Sequence, residues 1–121
     1  MHENNIILRD LNLKDIVIDN KGKVNIIKFE KVKFGINEIL NGKLNDSIVP
    51  EIILGRKHGK AADWYLIGTL IYEMIIGITP YYSSNSCDIA SNILNSKLKI
   101  TKNLSSIAKD ILIKLLNRDP D

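Results

Sequence analysis

One segment decides most of what this chain can become. From Ala61 to Ile76 the sequence is apolar nearly all the way round, broken by Asp63 near its start and Glu73 near its end. A helix that is apolar on every face belongs inside a core. The most apolar stretch, Trp64 to Ile78, falls short of the ~18 uncharged residues a membrane-spanning helix needs, so a buried core helix is the reading. Gly77 and Pro80 end it. A chain of 121 residues, 45% hydrophobic and 26% charged, has room for one small domain around such a helix. Those proportions argue against a disordered, collagen-like or simple coiled-coil chain.

The first third is strand-like. Ile6-Ile7-Leu8, Ile16-Val17-Ile18 and Val24-Asn25-Ile26-Ile27 are short β-branched runs bounded by turn residues. Asp19-Asn20-Lys21-Gly22-Lys23 reads as the hairpin turn between the second and third runs, with Gly22 free to take positive φ. A polar stretch from Lys28 to Ser47 has no clean period and is expected to be a long ordered loop. From Pro50 onward the pattern is helical. Pro50 suits the first position of a short helix through Leu54, stopped by Gly55. A shorter helix fits Asp88 to Asn95, with Ser86 or Cys87 near its start. The last runs from about Ser105 to Asn117, with Ile107, Ile111, Leu112, Leu115 and Leu116 expected on one face and Lys109, Asp110 and Lys114 on the other.

Charge and cysteine content narrow the function classes. Seventeen Lys and Arg against fourteen Asp and Glu leave a net charge of +3, scattered singly, which gives no case for a nucleic-acid tail. Cys87 is the only cysteine, so no internal disulfide forms and a reducing, cytoplasmic setting is expected. Met1-His2-Glu3-Asn4-Asn5 has no basic region before an apolar run and does not read as a signal peptide. His2, His58 and Cys87 lack metal-ligand spacing and read as unrelated surface or packing residues. Lys57-His58-Gly59-Lys60 reads as a solvated basic turn.

One cluster near the start carries chemistry. Arg9-Asp10 follows a strand end, Lys14-Asp15 comes four residues later, and Lys28 follows the hairpin. Acids on loops at strand ends can orient a hydroxyl or hold a divalent metal, although an Arg-Asp pair on a turn is more often a solvated surface pair. The order of motifs adds to this. Leu8-Arg9-Asp10-Leu11-Asn12-Leu13-Lys14-Asp15-Ile16, a hairpin, Lys28-Phe29-Glu30, a loop, Val49-Pro50-Glu51 and Ala62-Asp63-Trp64-Tyr65-Leu66-Ile67-Gly68 follow one another in the chain. With Ile71-Tyr72-Glu73-Met74-Ile75-Ile76-Gly77-Ile78-Thr79-Pro80-Tyr81-Tyr82 and Leu115-Leu116-Asn117-Arg118-Asp119-Pro120, they resemble a eukaryotic protein kinase domain. The wording is closest to AGC-type serine/threonine kinases. The resemblance implies an α+β, mainly α-helical fold: a partial kinase C-terminal lobe over residues 1–121, from the catalytic loop through the penultimate helices, with a small β-hairpin region. The N-terminal lobe and its nucleotide clamp are expected to lie outside it.

The resemblance assigns structural roles to several positions. Asp63 is expected to accept hydrogen bonds from the catalytic-loop backbone. Glu51 is expected to pair with Arg118, tying the end of the activation segment to the lobe. Phe29 stands for the DFG phenylalanine and Leu8 for a His or Tyr, so an apolar spine is retained. Trp64 is expected in the core. Arg9 would clamp a phosphorylated threonine, but Leu40 occupies the aligned position and removes that switch.

The same resemblance shows the catalytic positions altered. Asp10 is kept and can orient a substrate hydroxyl. Asn12 replaces the lysine that neutralises the transferring phosphate, and Asp15 replaces the asparagine that holds a second Mg²⁺, leaving a weak hard-cation ligand. Lys28 replaces the metal-chelating DFG aspartate. Two unit charges ~4 Å apart interact by ~4 kcal/mol at an effective dielectric near ~20; a divalent ion roughly doubles that, and here attraction becomes repulsion. Glu30 replaces the DFG glycine at a point where the backbone must turn. Lys14 stands where basophilic kinases place a peptide-binding acid, Leu44 replaces a threonine that bonds the catalytic aspartate, and Glu73 keeps the second peptide-binding acid. A structural pairing of Glu73 with some Arg or Lys is equally compatible with its place on the helix.

These substitutions favour a pseudokinase-like protein without catalytic activity that acts by binding another protein or a kinase N-terminal lobe, with no nucleic-acid or membrane partner and no cofactor of its own. ATP and Mg²⁺ are the family's cofactors. The alternative is an incomplete piece of an active serine/threonine kinase.

Overall fold

The computed structural model of the chain describes residues 2–4, 6–8, 10–27, 33–34, 48–56, 59–101 and 103–119. A single 3-10 turn (His2–Asn4) leads into β1 (Ile6–Ile7). A second 3-10 turn (Leu13–Asp15) opens the hairpin of β2 (Ile16–Ile18) and β3 (Val24–Ile26), with Ile16 opposite Ile26 and Ile18 opposite Val24. Its turn is held from within. The Asp19 N–H donates to the Lys23 carbonyl at 2.9 Å, and Asp19 Oδ1 accepts from the N–H groups of Lys21 and Lys23, each at 2.9 Å. Gly22 takes φ +77° there, as its sequence context predicts. The stretch 28–47 contributes one strand rather than loop alone: β4 (Lys33–Phe34) pairs antiparallel with β1. A strand of two residues has no alternation for a pattern to reveal.

The helices follow in the expected order: α1 (Pro50–Ile53), α2 (Lys60–Ile76), α3 (Ser86–Asn95) and α4 (Ser106–Leu115). Each end has a local cause. Pro50 occupies the first turn of α1. Gly77 ends α2 at φ +89°, a conformation in which a Cβ would crowd the backbone, and its N–H donates to the Glu73 carbonyl at 2.8 Å. Asn85 caps α3, its side chain accepting from the Cys87 N–H at 3.2 Å, so that helix starts two residues before the expected Asp88. Ser105 caps α4 through the Ala108 N–H at 3.2 Å.

The long helix α2 belongs to both apolar clusters. On one side Ala62, Tyr65, Leu66 and Tyr72 pack with Val49, Leu112 and Leu116. On the other Leu70 packs with Leu8 and Leu11, flanked by Ile16, Ile26 and Ile67. The fold is mainly helical with small antiparallel ladders, as expected for part of a kinase-like lobe. Among the described residues no helix is long and apolar enough to cross a membrane.

Two packing expectations need correction. Trp64 is 54% exposed, and Met74 and Ile75 are exposed too. Ala62, Leu66 and Leu70 mark the core side of α2, and at ~100° per residue Trp64 falls roughly opposite them. On α4 the buried positions are Leu112 and Leu116, with Ala108 and Leu115 half-buried, whereas Ile107 and Ile111 are exposed. The row that wins is set by α2. A Cβ on Gly68 would lie 2.8 Å from Leu115 Cβ and 3.1 Å from Leu116 Cδ2, so the absent side chain is the groove into which α4 settles.

Gly68→Ala should therefore destabilise the chain by ~1–3 kcal/mol through overpacking, read as a lowered urea midpoint. Asp19 gives a second, pH-dependent expectation. The Lys23 and Lys21 N–H groups hold its carboxyl below the ordinary 3.8, so its contribution is present in full above that value and is lost as pH falls through the lowered one. Melting curves should show Asp19→Ala less stable than the parent at neutral pH, with the gap closing as pH falls below the lowered value.

Candidate functional site

The site forms where β1 runs out against the first turn of α2. Asp63, only 3% exposed, presents Oδ2 to two donors: the Leu8 N–H at 3.0 Å and His2 Nε2 at 2.8 Å. A carboxylate accepts, so Nε2 carries the hydrogen. The His2 ring also stands edge-on to Trp64, centroids 5.8 Å apart at 85°. The expected anchoring of the loop backbone by Asp63 is present. His2 is thus a packing residue that also donates to the buried acid. Its partner lies 61 positions along the chain, where no local spacing signals the contact.

Beyond Leu8 the loop closes on itself. The Asp10 N–H donates to the Leu8 carbonyl at 2.8 Å. Asn12 Nδ2 donates to Asp10 Oδ1 at 3.1 Å. Asp15, 7% exposed, turns Oδ2 inward to accept the Asn12 N–H at 3.1 Å while its own N–H returns to the Asn12 carbonyl at 3.0 Å. The Asp15 carbonyl then takes the Ile27 N–H at 2.9 Å, tying the loop to the chain just past β3. Leu8 and Leu11 sit beneath against Leu70. Asp10, Asn12 and Asp15 are thus brought together, as the motif predicts. Arg9, Lys28, Phe29, Glu30, Leu40, Leu44, Lys57 and His58 lie outside the described residues.

The arrangement can hold and orient a hydrogen-bond donor at Asp10. A magnesium site fits the described donors poorly. Both loop carboxylates already accept hydrogen bonds within the loop, and no group of three His, Cys, Asp or Glu side chains among the described residues is placed to hold a metal ion. Glu73, the remaining peptide-binding candidate, is half-buried ten residues beyond Asp63 on α2, ~15 Å along the axis. It joins no ion pair within the described residues.

Glu51 and Arg118 do not pair, contrary to expectation. Arg118 donates instead to the Ile93 and Ser96 carbonyls at the end of α3, where a cation is favoured by the helix dipole, and its guanidinium lies 5.3 Å from the Tyr81 ring centroid. Glu51 is buried, and its Oε2, like the Tyr65 hydroxyl, has no hydrogen-bond partner among the described residues. Both residues line a cavity of about 290 Å³ beside Asn117 and Asp119. Burial pushes the Tyr65 hydroxyl above the ordinary phenol range, with Tyr81 and Glu51 adding to the rise and Arg118 partly opposing it.

Replacing Asp63 by Asn leaves the His2 ring nitrogen and the Leu8 N–H with a weaker acceptor. Asp63→Asn should cost ~1.5–3 kcal/mol of stability, measured by urea unfolding followed through the fluorescence of Trp64, the only tryptophan.

Comparison with known proteins agrees with this geometry. The protein kinase domain family model matches residues 1–121. The chain is 38% identical to cAMP-dependent protein kinase type 3 of Saccharomyces cerevisiae, over 98% of this chain and 30% of that protein. It is 36% identical to Protein kinase 3 of Dictyostelium discoideum, over 100% and 15%. It is 34% identical to serine/threonine-protein kinase gad8 of Schizosaccharomyces pombe, over 100% and 22%. The chain spans less than a third of the length of each of these relatives. With its loop anchored on Asp63 and its motifs matched from end to end, the chain belongs to the protein kinase domain family, alongside serine/threonine kinases of AGC type.

Proposed function

We propose that this chain is a pseudokinase-like relative: a kinase C-lobe unit that does not transfer phosphate and acts by binding another protein. The observation that carries the reading is the use made of the loop's acids. In phosphoryl transfer the catalytic aspartate accepts the substrate hydroxyl proton while cations neutralise the moving phosphate. Here Asp10 is engaged by the neutral amide of Asn12 at 3.1 Å, and Asp15 is turned inward on the Asn12 backbone. The sequence adds Lys28 at the position of the metal-chelating acid. A cation there opposes Mg²⁺, and the energy at stake, several kcal/mol, exceeds what a hydrogen bond to one loop carboxylate returns. The chain therefore takes neither ATP nor Mg²⁺, its partner is a protein or a kinase N-terminal lobe rather than nucleic acid or membrane, and the single cysteine suits the cytoplasm.

A second reading has support of its own. Asp10 is retained, and the relatives carry the names of serine/threonine kinases, so the chain read as part of an active enzyme is the competing function. Incubation of the chain, purified alone and fused behind the N-terminal lobe of an active AGC-type kinase, with radiolabelled ATP, Mg²⁺ and a basic serine peptide decides between them. Phosphate incorporation should match that of Asp10→Asn, and ATP with Mg²⁺ should leave the melting temperature unchanged. Transfer that disappears in Asp10→Asn overturns the proposal.

A further inference from the structure

Past the end of α2 the chain builds a cleft apart from the loop that carries Asp10, walled in part by the motif that runs from Ile71 to Tyr82. Its floor is aromatic and its rim basic: Tyr72, Tyr81 and Tyr82 meet Lys97 and Lys99, and no carboxylate is among the described residues that line it. Its volume, about 180 Å³, lies below the ~300–1,000 Å³ typical of small-molecule pockets and suits a single bulky side chain.

The cleft is held in shape by contacts on three sides. The Tyr72 hydroxyl donates to the Lys99 carbonyl at 2.6 Å, fastening the segment after α3 to α2. Within that segment burial alternates: Leu98 and Ile100 are half-buried against the main core, while Lys97 and Lys99 are exposed. Alternation of this kind sends the two lysines to the same side, their Cα atoms ~7 Å apart at strand-like rise. On the opposite wall Tyr81 has φ +64°, the one described non-glycine residue in the left-handed region. Arg118 lies over its ring, and Asn92 Nδ2 donates to its carbonyl at 3.5 Å, the amide being oriented by the Ser96 hydroxyl at 3.1 Å from Oδ1. Tyr82 and Ile78 lie at the cleft 60% and 51% exposed, apolar surface that a partner would cover.

We infer that this cleft docks an acidic protein segment, one bulky apolar side chain entering between the tyrosines while flanking carboxylates meet Lys97 and Lys99. Charge complementarity selects the partner's sign. An anchor seated in a small aromatic pocket, with charges at the rim, is the division of labour found at protein interfaces, where the anchor supplies affinity and the rim supplies specificity. A nucleic-acid strand would call for a longer basic track along its phosphates, and here the lysines are two. The inference rests on the protein-binding half of the proposed function and is indifferent to whether phosphate is transferred.

The test is fluorescence anisotropy with a fluorescein-labelled peptide carrying one phenylalanine among glutamates, run without ATP so that it fails or succeeds separately from the phosphotransfer assay. Saturable binding is expected, weakening as ionic strength rises from ~0.01 to ~0.15 M and the Debye length shrinks from ~30 to ~8 Å. Lys97→Glu with Lys99→Glu should lower the affinity ~10-fold or more, equal to ~1.4 kcal/mol, with an unchanged circular dichroism spectrum because both side chains are exposed. Tyr82→Ser should weaken binding with its salt dependence intact. Any of four results overturns the inference: no binding, equal binding by the charge-reversed protein, equal binding of a peptide with lysines in place of the glutamates, or tighter binding of a single-stranded oligonucleotide.

Discussion

A single buried carboxylate sets the relation between the helical core and the loop that carries the chemistry. Asp63 is on the first turn of α2 at 3% exposure, and a charge in that position persists only when donors satisfy it. The Leu8 N–H and the His2 ring supply them from the chain's first residues. The contact spans more than fifty positions of sequence, so it fixes β1 and the loop after it on the helix rather than merely shaping them locally. With Leu8 and Leu11 packed on Leu70 just below, the loop is tied to α2 by one polar point and one apolar patch. Removing the acceptor would release both the strand end and the histidine that covers part of Trp64.

Helix α2 can serve as this anchor because its other side is locked. Gly68 brings α4 so close that Leu115 and Leu116 occupy the space of its missing Cβ, and Leu112 is buried beside them. Arg118, just past α4, then reaches the end of α3 and Tyr81. Rigidity thus passes from α2 to α4 and on to α3, without the Glu51–Arg118 pair that the motif suggested. Among the described residues the Glu51 Oε2 and the Tyr65 hydroxyl are left without a hydrogen-bond partner.

What the sequence made legible was whatever depends on local chemistry or on a spaced motif. The Asp19 turn, the cap glycine of α2, the helix order and the hold of Asp63 on the loop could all be read in advance, because each follows from residues with few conformational or bonding options. What stayed hidden depends on which of several similar surfaces wins a packing contest. Ile107 and Ile111 look as buriable as Leu112, but the groove at Gly68 chooses among them. Trp64 looks like core material, but the helical period turns it outward. Arg118 had two acceptors available, an acid and a helix end, and the sequence carries no signal ranking them. His2 was illegible for the complementary reason: a lone histidine has no pattern, and its partner lies on another element.

The loop's geometry and its chemistry separate cleanly in this chain. Its shape rests on backbone donors to Asp63, on the reciprocal bonds between Asn12 and Asp15, and on leucines packed beneath, none of which needs a metal or a nucleotide. Catalysis would need cations at the phosphate and an acid free to chelate, and those demands fall on different atoms. Substitution at the chemical positions can therefore proceed while the fold-bearing ones hold the same conformation. Asp15 shows the exchange most directly, since a carboxylate there completes the loop's own hydrogen bonding through the Asn12 N–H. A loop so stabilised keeps its shape on hydrogen bonds and leucine packing alone.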